Sequence, residues 1–188
     1  MADRIRLGII GASPTVGWAY RSHLPAIAAS PEFELTGVCT TRMETAEESK
    51  KLYGARLAFD DYHTMLAHPE IDAVAVVLRV PTHYQITKDA LNAGKHVYTE
   101  WPLGKTTEEA IELAELANEK GVRVIVGLQA RAAPAVLHMK QLVADGYVGE
   151  MLSCSMRLIR GGVLERVSGR TWQKDVELGA NTLTIAAG

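Results

Sequence analysis

At 188 residues the chain has room for one full domain and part of a second. A core of that size holds without metals or disulfides. Its 47% hydrophobic and 22% charged residues are those of a globular protein rather than a disordered one. A formal charge of −2 offers no long-range attraction to nucleic acid or to an acidic membrane surface.

No apolar run approaches the ~20 residues needed to cross a bilayer. Met1-Ala2-Asp3-Arg4 brings charge where a signal peptide would turn apolar, so the expected compartment is the cytoplasm. Cys39 and Cys154 lie far apart, each inside an apolar run, and are expected to be buried free thiols.

Short β-branched runs alternate with helical patterns, the mark of βαβ units and a parallel sheet. Ile5 to Ile10 reads as the first strand and Trp18 to Ala29 as the helix after it. Phe33 to Thr40 is a second strand, leading to an amphipathic stretch from Glu44 to Tyr53 that Gly54 closes. Leu57 to Phe59 and Tyr62 to Ala67 form a short strand and a short helix. Ala73 to Leu78 is almost wholly apolar, as a strand covered on both faces should be. A helix then runs to Ala93 and ends on Gly94, and His96 to Thr99 is the next strand. Thr106-x-x-Glu109 is a capping box for the longest helix, which ends at Gly121, and Val122 to Gly127 is the sixth strand.

Residues 1–128 therefore carry the full complement of a doubly wound Rossmann domain, with the remainder, 129–188, beginning an incomplete α+β domain with an open sheet. Within that second part, Pro134 to Gly146 predicts a helix. Met151 to Arg160 alternates, with Leu152, Cys154, Met156 and Leu158 on the face expected to be buried. Gly179 to Ala187 is again helix-like.

The first βα junction reads Gly11-Ala12-Ser13-Pro14-Thr15-Val16-Gly17. Dinucleotide binding asks for a tight turn there, a close approach of backbone to pyrophosphate, and amides at a helix N-terminus facing the anion. The match to G-x-G-x-x-G is imperfect, because Ser13 replaces the middle glycine and the loop is one residue longer. Position at the head of a doubly wound pattern strengthens it.

The second strand ends on Thr40-Thr41-Arg42, without the acid that accepts bonds from ribose hydroxyls in NAD-selective sites. Arg42 is a candidate for a 2′-phosphate, which favours NADP(H) over NAD(H); the other reading is a solvated loop arginine. Gly104-Lys105-Thr106 imitates the tail of a Walker A loop, but Thr99 stands where that motif needs its first glycine.

Several motifs occur in one order: the glycine turn, Pro81-Thr82-His83, Ala93-Gly94-Lys95-His96-Val97, Glu100-Trp101-Pro102-Leu103, Arg131-x-x-Pro134 and Gly146-Tyr147-Val148-Gly149-Glu150. Together they resemble the glucose–fructose oxidoreductase / inositol dehydrogenase (Gfo/Idh/MocA) family. The resemblance implies a coenzyme-binding Rossmann domain followed by a larger open-sheet domain that builds the interface of a homo-oligomer when full length. It also implies a sugar- or polyol-like ligand between the two domains.

Two departures stand out. Family dehydrogenases carry Glu-Lys-Pro where this chain has Glu100-Trp101-Pro102, and Thr184 stands where the family places an aspartate. The lysine relays a proton and stabilises charge on the reacting oxygen; an indole offers only stacking or packing. Gly17-Trp18-Ala19, the Glu-Trp pair and Leu128-Gln129 resemble a non-enzymatic branch, the galactose-regulon repressor of yeasts, which implies a protein partner instead of turnover.

The expected cofactor-side residues are Gly11, Ala12, Ser13, Thr15, Val16, Gly17, Thr40, Thr41, Arg42, Pro81, His83, Glu100, Trp101, Gln129 and Arg131. Glu100 and His83 are the catalytic candidates, with a satisfied helix-start histidine the competing reading of His83. Trp172 is a weak candidate for the cleft. His23, His63, His68 and His138 read as ordinary, lacking any metal-ligand spacing, so no metal is expected. A DNA-binding role is disfavoured by the net charge and by the lack of a basic helix.

Overall fold

The computed structural model describes residues 4–157, 159, 175–179 and 184–185. All six anticipated strands form: β1 (Ile5–Ile10), β2 (Phe33–Cys39), β3 (Leu57–Phe59), β4 (Ala73–Val76), β5 (His96–Glu100) and β6 (Val124–Gly127). Every pairing is parallel, and the order is β3-β2-β1-β4-β5-β6. This is the doubly wound arrangement, in which strand order reverses between β1 and β4.

The crossovers are helical. Residues 17–29 are helical throughout, with a single π turn at Ala19–His23 ahead of α1 (Leu24–Ala29). Then come α2 (Met43–Tyr53), α3 (Tyr62–Leu66), α4 (His83–Asn92) and α5 (Thr107–Lys120). Gly54 and Gly121 close α2 and α5 in the left-handed conformation, as the helix-stop pattern predicts. Thr106 caps α5 by accepting from the Glu109 amide at 3.2 Å, so the Walker-like tripeptide is a helix start. The Glu109 carboxylate reaches back one residue further than a capping box requires, accepting from the Lys105 amide at 2.6 Å.

Alternation along each central strand sends successive side chains to opposite faces. Ile10, Cys39, Val74 and Val76 pack with Met65, Ile86, Leu91, Leu113 and Ala117 on one face. Ile9, Val38 and Ala75 pack with Ala19 and Leu24 of the first helix on the other. Burial pushes the Cys39 thiol up to about 12, so it behaves as a small apolar residue.

Beyond β6 the anticipated helix forms, but the strand expected after it does not. A 3-10 turn at Gln129–Ala132 precedes α6 (Pro134–Ala144), which buries none of its side chains. Residues 151–157 are not strand, Leu152 and Met156 are 88% and 78% exposed, and Cys154 is exposed rather than buried. A strand is held by its ladder to a neighbour, and no described residue offers this segment one. Leu158, Trp172 and most of the helix-like stretch after Gly179 lie outside the described residues, as does any open sheet of a second domain.

The ends of β1 and β4 away from the glycine turn are joined by Arg6 and Asp72. Arg6 Nε donates to Asp72 Oδ2 at 2.9 Å and a terminal nitrogen donates to Oδ1 at 2.5 Å. These bonds hold the Asp72 carboxyl below the usual carboxylate range. A carboxyl whose folded value lies below its unfolded one stabilises the fold at higher pH and loses that contribution as pH falls through the folded value. In thermal melts, Arg6→Ala should be less stable than the parent above about pH 5, and the two curves should converge toward pH 2.

Candidate functional site

The glycine turn sits at the carboxyl end of β1, beside the point where strand order reverses. Gly11 has φ +94°, and a Cβ there would run into the carbonyl oxygen of Val77, next to the end of β4. Only glycine permits both that torsion and that approach. The Gly11 and Ala12 amides both donate to the Cys39 carbonyl, at 2.9 and 3.1 Å, which ties the turn to the end of β2. The Ser13 amide donates to the Gly11 carbonyl at 2.9 Å.

These three amides are thus engaged by the protein's own carbonyls. The Thr15 and Val16 amides lie 3.5 and 3.3 Å from Ser13 Oγ, long contacts that place a hydroxyl oxygen where an anion oxygen would go. Gly17, also at φ +94°, opens the helix, and nothing lies within 4 Å of the Cβ it lacks. The first amides of a helix have no partner within it. The donors left for an anion therefore run from Thr15 into the helix start. The turn fits a pyrophosphate, which would compete with Ser13 Oγ for two of these donors.

At the end of β2, the Thr40 hydroxyl donates to the Arg42 carbonyl at 2.8 Å and lies 2.6 Å from the Thr45 hydroxyl. That network shapes the start of α2 and leaves Thr41 and Arg42 exposed next to the glycine turn's own anchor, Cys39. Arg42 is the residue before α2 and has extended backbone.

On the other side of the switch point, β4 gives way to a 3-10 turn at Val80–Thr82, where Pro81 is exposed. His83, first in α4, is 1% exposed. Its Nδ1 is 2.7 Å from the Pro102 carbonyl and its Nε2 is 3.1 Å from the Leu78 carbonyl. With both nitrogens against backbone oxygens, His83 braces the loop after β5 against the loop after β4, the competing reading of its sequence position.

Glu100 closes β5, half-buried. One carboxylate oxygen is 2.6 Å from His23 Nε2, and the other accepts from Gln129 Nε2 at 3.0 Å. The His23 ring meets Tyr98 edge to face at 5.2 Å between centroids. Burial, then the Glu100 charge, pushes the Tyr98 hydroxyl up to about 12. A Cβ on Gly127, which pairs with Glu100 across the sheet, would fall 2.5 Å from the Tyr98 oxygen, so the glycine leaves the space this group occupies. His23 and Tyr98 were missed by sequence reasoning. The one local hint was a histidine on the inner side of the helix that opens at the glycine turn.

Trp101 follows Glu100, and the Trp101–Pro102 peptide is cis. Its indole N–H donates to the Thr184 carbonyl at 2.7 Å. The two departures from the family pattern, Trp101 and Thr184, therefore meet each other. Arg131, in the 3-10 turn after β6, is exposed. No group of three or more acidic, histidine or cysteine side chains able to hold a metal occurs among the described residues.

Comparison with known proteins points the same way. Residues 5–128 match the model of an oxidoreductase family with an NAD-binding Rossmann fold, GFO_IDH_MocA. Dehydrogenase aclE of Aspergillus oryzae is 31% identical over 194 residues, covering 100% of this chain and 53% of that protein. The galactose/lactose metabolism regulatory protein GAL80 of Saccharomyces cerevisiae is 30% identical over 162 residues, covering 81% of this chain and 37% of that one. The crystal structure of KijD10, a 3-ketoreductase from Actinomadura kijaniata in complex with TDP-benzene and NADP, superimposes with a TM-score of 0.72 at 30% identity, over 79% of this chain and 46% of that chain. The chain thus spans about half, or less, of the length of these relatives. On its sequence, its strand order and its match to the family model, the chain belongs to the Gfo/Idh/MocA family of oxidoreductases with an NAD-binding Rossmann fold.

Proposed function

We propose that the chain binds NADP(H), and NAD(H) more weakly, across the carboxyl ends of β1 and β4. In this reading its pyrophosphate lies on the donors from Thr15 into the helix that starts at Gly17. The observation that carries this reading is Gly11 at φ +94° against the Val77 carbonyl, which sets the turn at the point where strand order reverses. The adenosine half then lies toward Thr40, Thr41 and Arg42, with the Arg42 guanidinium available to a 2′-phosphate. The nicotinamide half lies toward Pro81, Glu100, Trp101 and Gln129. A KijD10 structure that contains NADP supports the choice of coenzyme.

The coenzyme would supply a hydride for exchange with a sugar- or polyol-like substrate, the substrate class of the dTDP-sugar 3-reductase relative from Streptomyces violaceoruber. This chain's own residues would orient the ring and exclude water from it. Proton exchange is their weak point. Trp101 has replaced the family lysine, its indole N–H is committed to the Thr184 carbonyl, and His83 is committed to backbone carbonyls. These same contacts favour a second reading, in which the chain is a dinucleotide-sensing regulator without turnover whose cleft receives a protein partner. The GAL80 likeness supports it.

Titration of the full-length chain with NADPH and NADH, followed by a screen of sugars and polyols at saturating coenzyme, tests both readings. Gly11→Ala should destabilise the fold by about 1–3 kcal/mol through the left-handed torsion and, by pushing the turn off the Val77 carbonyl, lower NADPH affinity by about tenfold. An unchanged affinity would remove the turn from the site. Arg42→Ala should weaken NADPH by roughly 10–100-fold, as expected for charge-assisted bonds to phosphate, and leave NADH nearly unaffected. Equal losses would reject the preference for NADP(H). Trp101→Lys should raise turnover of a reactive sugar by roughly 10²–10⁴-fold if only the proton relay is missing. Brisk turnover by the parent chain would exclude the regulator.

A further inference from the structure

The Glu100 carboxylate is gripped from two separate elements. His23 comes from the helix that begins at the glycine turn and Gln129 from the turn after β6. The His23 and Glu100 side chains are 15% and 13% exposed, so their 2.6 Å contact is largely shielded from solvent. A charge-assisted bond of that length is among the stronger polar contacts a protein makes. His23 is the last residue of a π turn in which the Leu24 amide bonds back to the Ala19 carbonyl. Such turns are rare and recur at functional sites.

We propose that His23 is a positioning residue that acts through Glu100. It locks the helix whose first amides face the pyrophosphate to the strand ends that face the nicotinamide. The inference rests on the dinucleotide reading above. With its –NH2 held on Glu100, the exposed Gln129 amide would offer its carbonyl oxygen as an acceptor for the N–H of a carboxamide such as that of nicotinamide. His23 and Glu100 lie 77 residues apart, and no backbone ladder links the first helix to β5. The side-chain pair thus ties the first helix directly to the end of β5, beside the indirect tie through the β1-β4-β5 ladder. Gly127 makes the arrangement possible, because any side chain there would displace Tyr98 or Glu100.

The test compares the full-length chain's affinity for NADPH with that for 2′-phospho-ADP-ribose, which lacks the nicotinamide, by calorimetry. His23→Phe keeps an aromatic ring against Tyr98 and removes the bond to Glu100. It should weaken NADPH by about tenfold while changing 2′-phospho-ADP-ribose by less than about twofold. His23→Gln, which retains a donor, should recover most of the loss. In a cycle with Glu100→Gln, the two losses should fall well short of additive, as for residues sharing one contact. Equal losses for both ligands, no loss for either, or strict additivity would overturn the positioning role while leaving the dinucleotide site standing. A parent chain that bound neither ligand would overturn the dinucleotide reading and this inference with it.

Discussion

Gly11 and the Val77 carbonyl approach each other more closely than any side chain would allow, and the rest of the site follows from that approach. The contact brings the turn after β1 over the end of β4, where the sheet reverses its strand order. With the Gly11 and Ala12 amides both drawn to the Cys39 carbonyl, the turn is pinned to β2 on one side and crowded by β4 on the other. The helix beginning at Gly17 follows directly from the turn so anchored. An ordinary βα turn with a Cβ at position 11 would sit higher and lose this geometry.

The site divides along the sheet. On the β2 side it is open, with Thr41 and Arg42 exposed and little to hold them but the Thr40 hydroxyl network. On the β5 side it is built from buried or half-buried polar groups: His83 between two carbonyls, Glu100 between His23 and Gln129, and Trp101 on the Thr184 carbonyl. Buried polar groups hold their geometry because leaving them unpaired is costly. The β5 side is thus the more firmly held of the two. The same commitment of donors leaves few groups free to pass a proton, the chemical core of the question of turnover.

Much of the architecture was legible from local signals. Strand runs of β-branched residues, glycine stops at Gly54 and Gly121, and the Thr106 cap all correspond to what the sequence predicts, because each depends on residues within a few positions. The strand anticipated after Met151 is absent from the described residues, and with it the burial of Cys154 and Leu152. Alternation states what a strand would look like, but the ladder that makes one comes from another segment. The Ser13 hydroxyl on the Thr15 and Val16 amides was likewise not legible, since it depends on how the longer turn closes.

The sequence by itself determined the doubly wound domain, the glycine turn and the family, since periodicity, torsional demand at glycine and motif order are properties of the chain read along its length. Only the tertiary structure decided the roles of individual polar side chains. It set His83, a catalytic candidate in the sequence, between two backbone carbonyls, His23, an ordinary histidine in the sequence, against Glu100, and Trp101 against the Thr184 carbonyl. Those roles depend on which distant segments packing brings within about 3 Å of each other, a distance that no spacing along the chain encodes.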